Sequence, residues 1–273
     1  NMQCILSALK SESEPLIKFY NLDKDNRFSF PVFRKKDLYL LGIGVGKKYI
    51  ESRVNGFIQK MENSPIQFIN VGLAGGKKNI HTIGDIFIIN KIKEENSKKF
   101  YFPDILYKHT FQESEVSTVC KEITNGGDEF SGLVDMESSE IFKVCSKLSS
   151  VHNLIFLKVV SDYMDKSFED FDKDYFSTLI KLNLKKIDAL IKDSSLIDYG
   201  AHEILNEYDE QWLVQTIKTL RLTETQSLKI EKYFKGKKIR NPDYSYPNIL
   251  INRPENKFER NQIFKKICEE LTA

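Results

Sequence analysis

The sequence predicts an α/β fold, a three-layer α/β/α sandwich around a central mixed, twisted sheet, followed by a C-terminal helical extension. Segments of strand composition alternate along the chain with segments whose apolar residues recur at helical spacing. Several of the strand segments are apolar nearly throughout, which is typical of strands covered by helices on both faces. Glycine-rich and polar stretches follow strand segments, which is where α/β sheets bind their ligands.

The alternating pattern occupies the first two thirds of the chain. Its predicted strands are short apolar runs that end in small or polar residues, at 3–9, 28–33, 38–45, 67–71, 86–91, 133–134 and 154–160. Its predicted helices place apolar residues on one face, at 11–20, 47–61, 137–148 and 175–191. Glycines follow two of the strands, at 42–46 and 72–76, and we expect these stretches to contribute to a ligand site.

The composition changes after the last of these helices. Three further helices are expected there, at 207–220, 224–234 and 255–271. Thr223 is a suitable N-cap for the second of them, and residues 236–252 are expected to form a loop before the third. The chain is therefore expected to divide into an α/β domain, residues 1–195, and a helical extension, residues 196–273.

Composition excludes several classes of protein. Of the 273 residues 41% are hydrophobic, which is enough for a large core, and the net charge of +2 provides no overall attraction to nucleic acid or membranes. The four cysteines and four histidines lack the close spacing of a metal site or a disulfide scaffold, so no metal is expected. No organic cofactor is expected either. No apolar run approaches the roughly 20 residues that cross a bilayer. A cytoplasmic protein with reduced thiols is expected.

Five segments of the α/β domain carry a more specific pattern. In chain order they are Ser7-Ala8-Leu9-Lys10-Ser11-Glu12, Gly42-Ile43-Gly44-Val45-Gly46-Lys47, Ile69-Asn70-Val71-Gly72-Leu73-Ala74-Gly75-Gly76, Asp135-Met136-Glu137 and Ser161-Asp162. In this order they resemble the purine nucleoside phosphorylase and uridine phosphorylase superfamily, and most of all its methylthioadenosine/S-adenosylhomocysteine nucleosidases. The resemblance covers about residues 2–192. It implies the three-layer fold, a purine nucleoside substrate and a homodimer.

The resemblance also implies a role for individual residues. Cleavage of a purine N-glycosidic bond requires a proton at N7 of the base, a grip on the ribose as positive charge develops, and a nucleophile at C1′. Asp162, oriented by Ser161, is expected to protonate the base. Glu137 is expected to bind the sugar hydroxyls beside the polarizable side chain of Met136. Glu12 is expected to deprotonate the attacking water.

Three further residues complete the predicted substrate-binding set. The backbone of Ala74 and Gly75 is expected to line the pocket for base and ribose, and Asp135 stands where the family has the first glutamate of Glu-Met-Glu. The catalytic and sugar-binding carboxylates also have a simpler interpretation, as residues that stabilise helix starts or turns.

Departures from the family pattern favour water over phosphate as the nucleophile. Leu73 replaces a serine that binds phosphate in the phosphorylases, and residues 2–26 contain no arginine for that task. Lys121 falls near the position of an aromatic residue that stacks on the base. The sequence therefore predicts a hydrolase. A phosphate-dependent phosphorylase and a non-catalytic nucleoside-binding protein remain as alternatives.

The helical extension contains a basic stretch from Lys218 to Arg240, opposed by Glu224 and Glu231 and followed by Tyr244 and Tyr246. Basic residues interleaved with aromatic ones can bind a nucleic-acid backbone and stack on bases. Charge runs are more often solvated faces. We therefore favour a helical cap, with binding of DNA or of another partner as the alternative.

Overall fold

The computed structural model describes residues 2–61, 66–107, 109–172, 174–195, 205–241, 243–249 and 251–272. The chain divides into two compact units, Asn1–Asp198 and Tyr199–Ala273. The domain boundary expected between residues 195 and 196 borders the segment 196–204, which lies outside the described residues. Among the described residues, no helix has the length and apolar character needed to cross a membrane.

The first unit contains all the strands found in the described part of the chain. They are β1 (Met2–Ser7), β2 (Asp23–Lys24), β3 (Val32–Lys35), β4 (Leu38–Gly42), β5 (Ile66–Gly75), β6 (Ile86–Glu94), β7 (Lys99–Tyr101), β8 (Gln112–Thr118), β9 (Leu133–Asp135) and β10 (Leu154–Asp162). The α-helices of this unit are α1 (Lys10–Tyr20), α2 (Ile50–Ile58), α3 (Ser138–Cys145) and α4 (Tyr175–Ser195).

The strands form one mixed sheet that partly closes on itself. β1 lies between β4 and β5 and is parallel to both, and β5 is parallel to β10. β10 then pairs antiparallel with β6, which is parallel to β8, and β8 is parallel to β9. β9 returns to β5 through a single antiparallel pairing, Val134 with Gly75. Five strands therefore pair in a ring, and the short strand β9 closes it.

Helices cover both faces of the sheet. Successive residues of a strand point to opposite faces, and in β1 the side chain of Ile5 packs in one core while Leu6 packs in the other. The core that contains Ile5 includes Leu16 from α1 and residues of α4. The core that contains Leu6 includes Val54 from α2 and Ile141 from α3. The predicted three-layer α/β/α architecture is confirmed.

The structure corrects three details of the sequence prediction. The strand expected at 28–33 begins only at Val32, after Pro31, which has no N–H to donate to a neighbouring strand. The glycine-rich stretch 72–76, expected to close a strand, is strand up to Gly75. β2, β7 and β8 were not predicted. β2 and β7 are only two and three residues long, and β8 has a polar, partly exposed first half and no continuous apolar run.

The second unit contains the three expected helices, α5 (Glu207–Leu220), α6 (Glu224–Arg240) and α7 (Lys257–Thr272). They enclose a core of their own that includes Leu213, Phe234 and Ile267. The hydroxyl of Thr223 accepts the N–H of Gln226, so the predicted N-cap is confirmed.

Helix α6 is longer than predicted, and its length explains part of the basic stretch. It continues to Arg240 where a loop was expected from residue 236, and Lys238 in this last part is buried against Asp209 of α5, with 2.9 Å between nitrogen and oxygen. Lys235 pairs with Glu231, and Arg240 donates to a backbone carbonyl of α7. Several basic side chains of the stretch therefore stabilise the unit itself.

Candidate active site

A cavity of about 380 Å³ opens where the carboxyl ends of β1, β5, β9 and β10 meet. Its volume falls within the range of roughly 300–1,000 Å³ that is typical of sites for small ligands. All eight site residues predicted from the sequence line this cavity, namely Glu12, Ala74, Gly75, Asp135, Met136, Glu137, Ser161 and Asp162. Segments that are far apart in the chain are thus brought together at one site.

Glu12 lies in the first turn of α1, directly after β1, and is 3% exposed. One carboxylate oxygen accepts the backbone N–H groups of Ala8 and Leu9 at 2.9 Å each, together with the hydroxyl of Ser7. The other oxygen accepts the N–H of Leu73 in β5 at 3.0 Å. These donors hold the carboxylate at the cavity wall and complement its negative charge.

Glu137 stands at the junction of β9 and α3, where it is the N-cap residue of the helix. Its carboxylate accepts the N–H of Gly46 at 2.7 Å. Burial and, after it, the neighbouring carboxylate of Asp135 together raise the pKa of Glu137 to about 7, against the opposing effects of Lys158 and the Gly46 N–H. Gly46 has a φ of +70°, a conformation that favours glycine.

Asp135 forms a fully buried ion pair with Lys158 of β10, at 2.9 Å between nitrogen and oxygen. Its carboxylate also accepts the hydroxyl of Thr118 at 2.8 Å and the N–H of Ser138 at 2.9 Å. Burial by itself would raise the pKa of Asp135, but Lys158 and Ser138 outweigh this effect and the pKa is lowered. Asp135 therefore holds other side chains in place and has little capacity left for a sugar hydroxyl.

Lys158 is the functional candidate that was not recognised in the sequence. It is 1% exposed, and a Cβ atom on Gly72 would lie 3.2 Å from its ammonium nitrogen and 3.5 Å from a carboxylate oxygen of Glu12. Lys158 thus lies behind the cavity wall, between Asp135 and Glu12. The available signal was a single charged residue within the apolar strand 154–160, because a buried charge requires a partner.

Asp162 is half-buried at the end of β10. The hydroxyl of Ser161 donates to one carboxylate oxygen, and the N–H of Met164 donates to the other at 2.7 Å. Ser161 is itself held by Tyr175, whose hydroxyl donates to the Ser161 carbonyl at 2.9 Å. The expected orientation of Asp162 by Ser161 is therefore present in the geometry.

An apolar and aromatic wall continues from Asp162 along the cavity. Phe168 and Phe176 stack with ring centroids 4.4 Å apart, and both line the cavity with Phe171. Lys121, which falls near the expected position of a stacking aromatic residue, is exposed and does not line it. The sequence did not reveal this wall, because Phe168 and Phe171 lie in a segment without strand or α-helix periodicity and only Phe176 belongs to a predicted helix, α4.

The carboxylates form no evident metal site. Within the described ranges, no group of three or more His, Cys, Asp or Glu side chains is arranged to hold a metal ion. The arrangement instead resembles an acid–base site, because carboxylates with different partners line one cavity.

Comparison with solved structures relates this geometry to known proteins. The chain is similar to the 5′-methylthioadenosine nucleosidase of Arabidopsis thaliana, with a TM-score of 0.54 and 18% identity over 73% of this chain and 96% of that one. It is similar to a putative 5′-methylthioadenosine/S-adenosylhomocysteine nucleosidase of Borrelia burgdorferi bound to adenine, with a TM-score of 0.57 and 19% identity over 70% and 99%. It is also similar to the 5′-methylthioadenosine/S-adenosylhomocysteine nucleosidase of Helicobacter pylori, with a TM-score of 0.55 and 14% identity over 70% of this chain and 98% of that one.

The chain has the fold of these nucleosidases. The fold predicted from the five sequence segments is thereby confirmed. No protein-family model matches the sequence, and no curated protein matches it either. The similarity therefore lies in the three-dimensional arrangement of the nucleosidase fold, and the activity has to be argued from the residues of the cavity.

Proposed function

We propose that this protein hydrolyses the N-glycosidic bond of a purine nucleoside, in the manner of the methylthioadenosine/S-adenosylhomocysteine nucleosidases. The observation that carries the proposal is the convergence of Glu12, Glu137 and Asp162 on one cavity of suitable size. Each carboxylate is held by a different set of donors, so the three are suited to three different tasks.

In the proposed reaction, the bond between C1′ and the base nitrogen breaks and its electron pair stays with the base. Asp162 transfers a proton to N7, and Glu12 accepts a proton from the water whose oxygen attacks C1′. The products are the free base and a ribose that carries the new hydroxyl. After release, solvent returns a proton to Asp162 and removes one from Glu12, so no cofactor is required.

Glu137 would bind the ribose hydroxyls and place negative charge near the developing oxocarbenium ion. Met136, next to it at the cavity wall, would contact the sugar through its thioether. We propose an indirect role for Asp135, because its carboxylate is engaged by Lys158, Thr118 and Ser138. Asp135 would hold Lys158 beside Glu12, and Ala74 and Gly75 would line the pocket with their backbone.

The charge of the cavity favours water over phosphate. Among the residues that the structure describes, Lys166 is the only basic one that lines the cavity, and it is exposed. Six acidic residues line the same cavity, namely Glu12, Glu122, Asp135, Glu137, Asp162 and Glu169. A phosphate dianion would be repelled by this surplus of carboxylates, whereas a neutral water molecule would not. Hydrolysis is therefore preferred over phosphorolysis.

The aromatic wall suits an apolar group on the substrate. Structures with the same fold were solved with adenine and with butyl-thio-DADMe-Immucillin-A. A purine with an apolar 5′ substituent would bury that substituent against Phe168, Phe171 and Phe176.

We further propose that the protein acts as a homodimer in the cytoplasm. Val45 and Phe168 line the cavity and are 52% and 43% exposed, and a second copy of the chain would shield them from water. Sedimentation at micromolar concentration should give twice the mass of one chain. A single-chain mass over that range would contradict the dimer without affecting the proposed reaction.

The proposed activity is tested by incubating the protein with a panel of purine nucleosides, with and without phosphate, and measuring free base by chromatography. Phosphate-independent release is expected, and Asp162→Asn should abolish it. Asp165→Asn is the matched control, because Asp165 is exposed nearby and does not line the cavity. Release that requires phosphate would identify a phosphorylase. Binding of nucleosides without any release would identify a non-catalytic binding protein.

A further inference from the structure

A buried charge cluster lies outside the cavity and is centred on Glu94, the last residue of β6, which is 7% exposed. One carboxylate oxygen accepts the ammonium groups of Lys47 at 2.7 Å and Lys143 at 3.1 Å. The other oxygen accepts the hydroxyl of Ser97 at 2.6 Å. Glu94 does not line the cavity, so it has no direct part in the proposed reaction.

Both lysines belong to segments that also contact or contain Glu137. Lys47 directly follows Gly46, whose N–H donates to the Glu137 carboxylate at 2.7 Å. Lys143 belongs to α3, the helix that has Glu137 as its N-cap residue. The loop before Lys47 needs such an anchor, because Gly44 and Gly46 both have a positive φ and leave the backbone free to adopt other conformations.

We propose that Glu94 is a positioning residue for Glu137, acting through Lys47 to hold the loop that presents the Gly46 N–H to the Glu137 carboxylate. This inference rests on the proposed role of Glu137 in binding the ribose. Loss of the anchor would release the Gly46 N–H and leave the buried Glu137 carboxylate without its backbone donor. The loop would then hold Glu137 less well in the orientation that the sugar requires.

The charges around both carboxylates determine the expected readout. Glu137 is faced by Asp135 from β9, Glu12 from α1 and Lys158 from β10, together with the Gly46 N–H. The Gly46 N–H lowers the pKa of Glu137 against burial, so its loss raises that pKa.

Glu94 itself is faced by basic and hydroxyl groups from several elements, namely Lys47, Lys143, Ser97, Ser139 and Tyr101. The hydrogen bond from Lys47, supported by Ser97 and Lys143, lowers the pKa of Glu94 to about 2. Glu94 therefore remains ionised at physiological pH and is a constant anchor.

The test compares Glu94→Gln with Glu95→Gln. Glu95 is the adjacent residue and forms ion pairs of its own, with Lys93 and Lys98 instead of Lys47 and Lys143. The pKa of Glu137 is followed by ¹³C NMR of labelled glutamate carboxyl groups, and Glu137→Gln identifies its signal. Glu94→Gln should raise this pKa by about 1 unit and raise KM for the nucleoside by about tenfold. Glu95→Gln should change neither value.

Lys47 provides a second variant in case Glu94→Gln does not fold. Lys47→Met should raise the pKa and KM in the same way, and Lys47→Arg, which keeps the ion pair, should restore both. Combining Lys47→Met with Glu94→Gln should add nothing further, because both remove the same anchor.

An unchanged Glu137 titration in both Glu94→Gln and Lys47→Met would overturn the positioning role. A second outcome is that the pKa of Glu137 shifts in these variants while Glu137→Gln releases base as fast as the unaltered protein. This outcome would support the positioning role and contradict ribose binding by Glu137. The two failures are therefore distinguishable.

Discussion

The two units of the protein each contain a buried lysine–aspartate pair, and the pairs differ in their surroundings. In the first unit, Lys158 contacts Asp135 at 2.9 Å with both side chains almost fully buried. In the second unit, Lys238 contacts Asp209 at the same distance, with 9% and 3% of the side chains exposed. The two ion pairs therefore have the same nitrogen–oxygen distance.

The difference lies in what surrounds each pair. Lys158 is also near Glu137 and Glu12, so a single ammonium group faces three carboxylates beside an open cavity. Lys238 instead lies over the ring of Phe234, and its partner Asp209 is further engaged by the backbone N–H of Asn206. A buried ion pair alone is therefore weak evidence of a site. A surplus of carboxylates around the pair, next to a cavity, is the stronger signal.

The largest difference expected between the two regions is in the rate of base release. It contrasts Glu12, an additional carboxylate near Lys158, with Asp209, the ion-pair partner of Lys238. Glu12→Gln should lower the rate of base release by about 10²- to 10⁴-fold, because the amide cannot accept the proton of water. Asp209→Asn makes the same isosteric change in the second unit and should leave the rate unchanged at a temperature where the protein is folded. The measurement is base release under saturating nucleoside. Equal rates in Glu12→Gln and the unaltered protein would remove the functional distinction between the two regions.

The two lysines test whether the pairs are equally important for stability. Lys158→Met and Lys238→Met should each lower the free energy of unfolding of their own unit by about 3–5 kcal/mol, because each leaves a buried carboxylate without its partner. Urea unfolding followed by far-ultraviolet circular dichroism measures this loss. Lys158→Met should also reduce base release, whereas Lys238→Met should not. An unchanged free energy of unfolding in Lys158→Met would contradict this expectation. It would show that groups other than Lys158 compensate the charge of the neighbouring carboxylates.

Glu137 is expected to make the stability of the protein depend on pH. The pKa of Glu137 is about 7 in the folded protein, against an ordinary value of 4.5. Between these values the folded protein keeps the proton while the unfolded chain has released it, so stability declines as pH rises through this window. The decline attributable to Glu137 is about 3 kcal/mol. Glu137→Gln should remove it, which urea unfolding at pH 5 and pH 8 would measure. Parallel pH profiles for both proteins would contradict the raised pKa.

The smallest expected effect concerns the start of helix α5 in the second unit. The side chain of Asn206 accepts the N–H of Asp209 at 3.0 Å, and Asp209 accepts the N–H of Asn206 in return. Asn206→Ala should lower the stability of this unit by about 1 kcal/mol. Thr223→Ala is a matched control at the start of α6, where the corresponding contact is longer, at 3.4 Å, and a smaller loss is expected. Base release should be unchanged in both variants.

The site residues were predicted from the resemblance of five short segments to the nucleosidases, and these segments stand at strand ends. Glu12, Glu137 and Asp162 each follow an apolar run, and parallel strands bring such positions to one edge of a sheet. The aromatic wall and Lys158 were not predictable in the same way. Phe168 and Phe171 lie in an irregular segment, and Lys158 depends on a partner, Asp135, from another strand.

The second unit shows the same division between local and distant information. The cap at Thr223 was predicted because it depends on residues within one helical turn. The end of α6 was misplaced because Lys238 stays helical while it contacts Asp209, which lies in a different helix. Contacts that cross between elements leave no periodic trace in the sequence.

By itself, the sequence determined the alternation of strands and helices and the capping of α6, because periodicity and caps are local properties. The carboxylates of the proposed site were predicted from the resemblance of five short segments to the nucleosidases. Only the tertiary structure decided which carboxylate is free and which is engaged. Asp135 and Glu137 are two residues apart in the chain. The carboxylate of Asp135 is bound by Lys158, Thr118 and Ser138, whereas that of Glu137 has a single backbone donor and a raised pKa. Burial and pairing depend on distant strands, and these set the charge of each group.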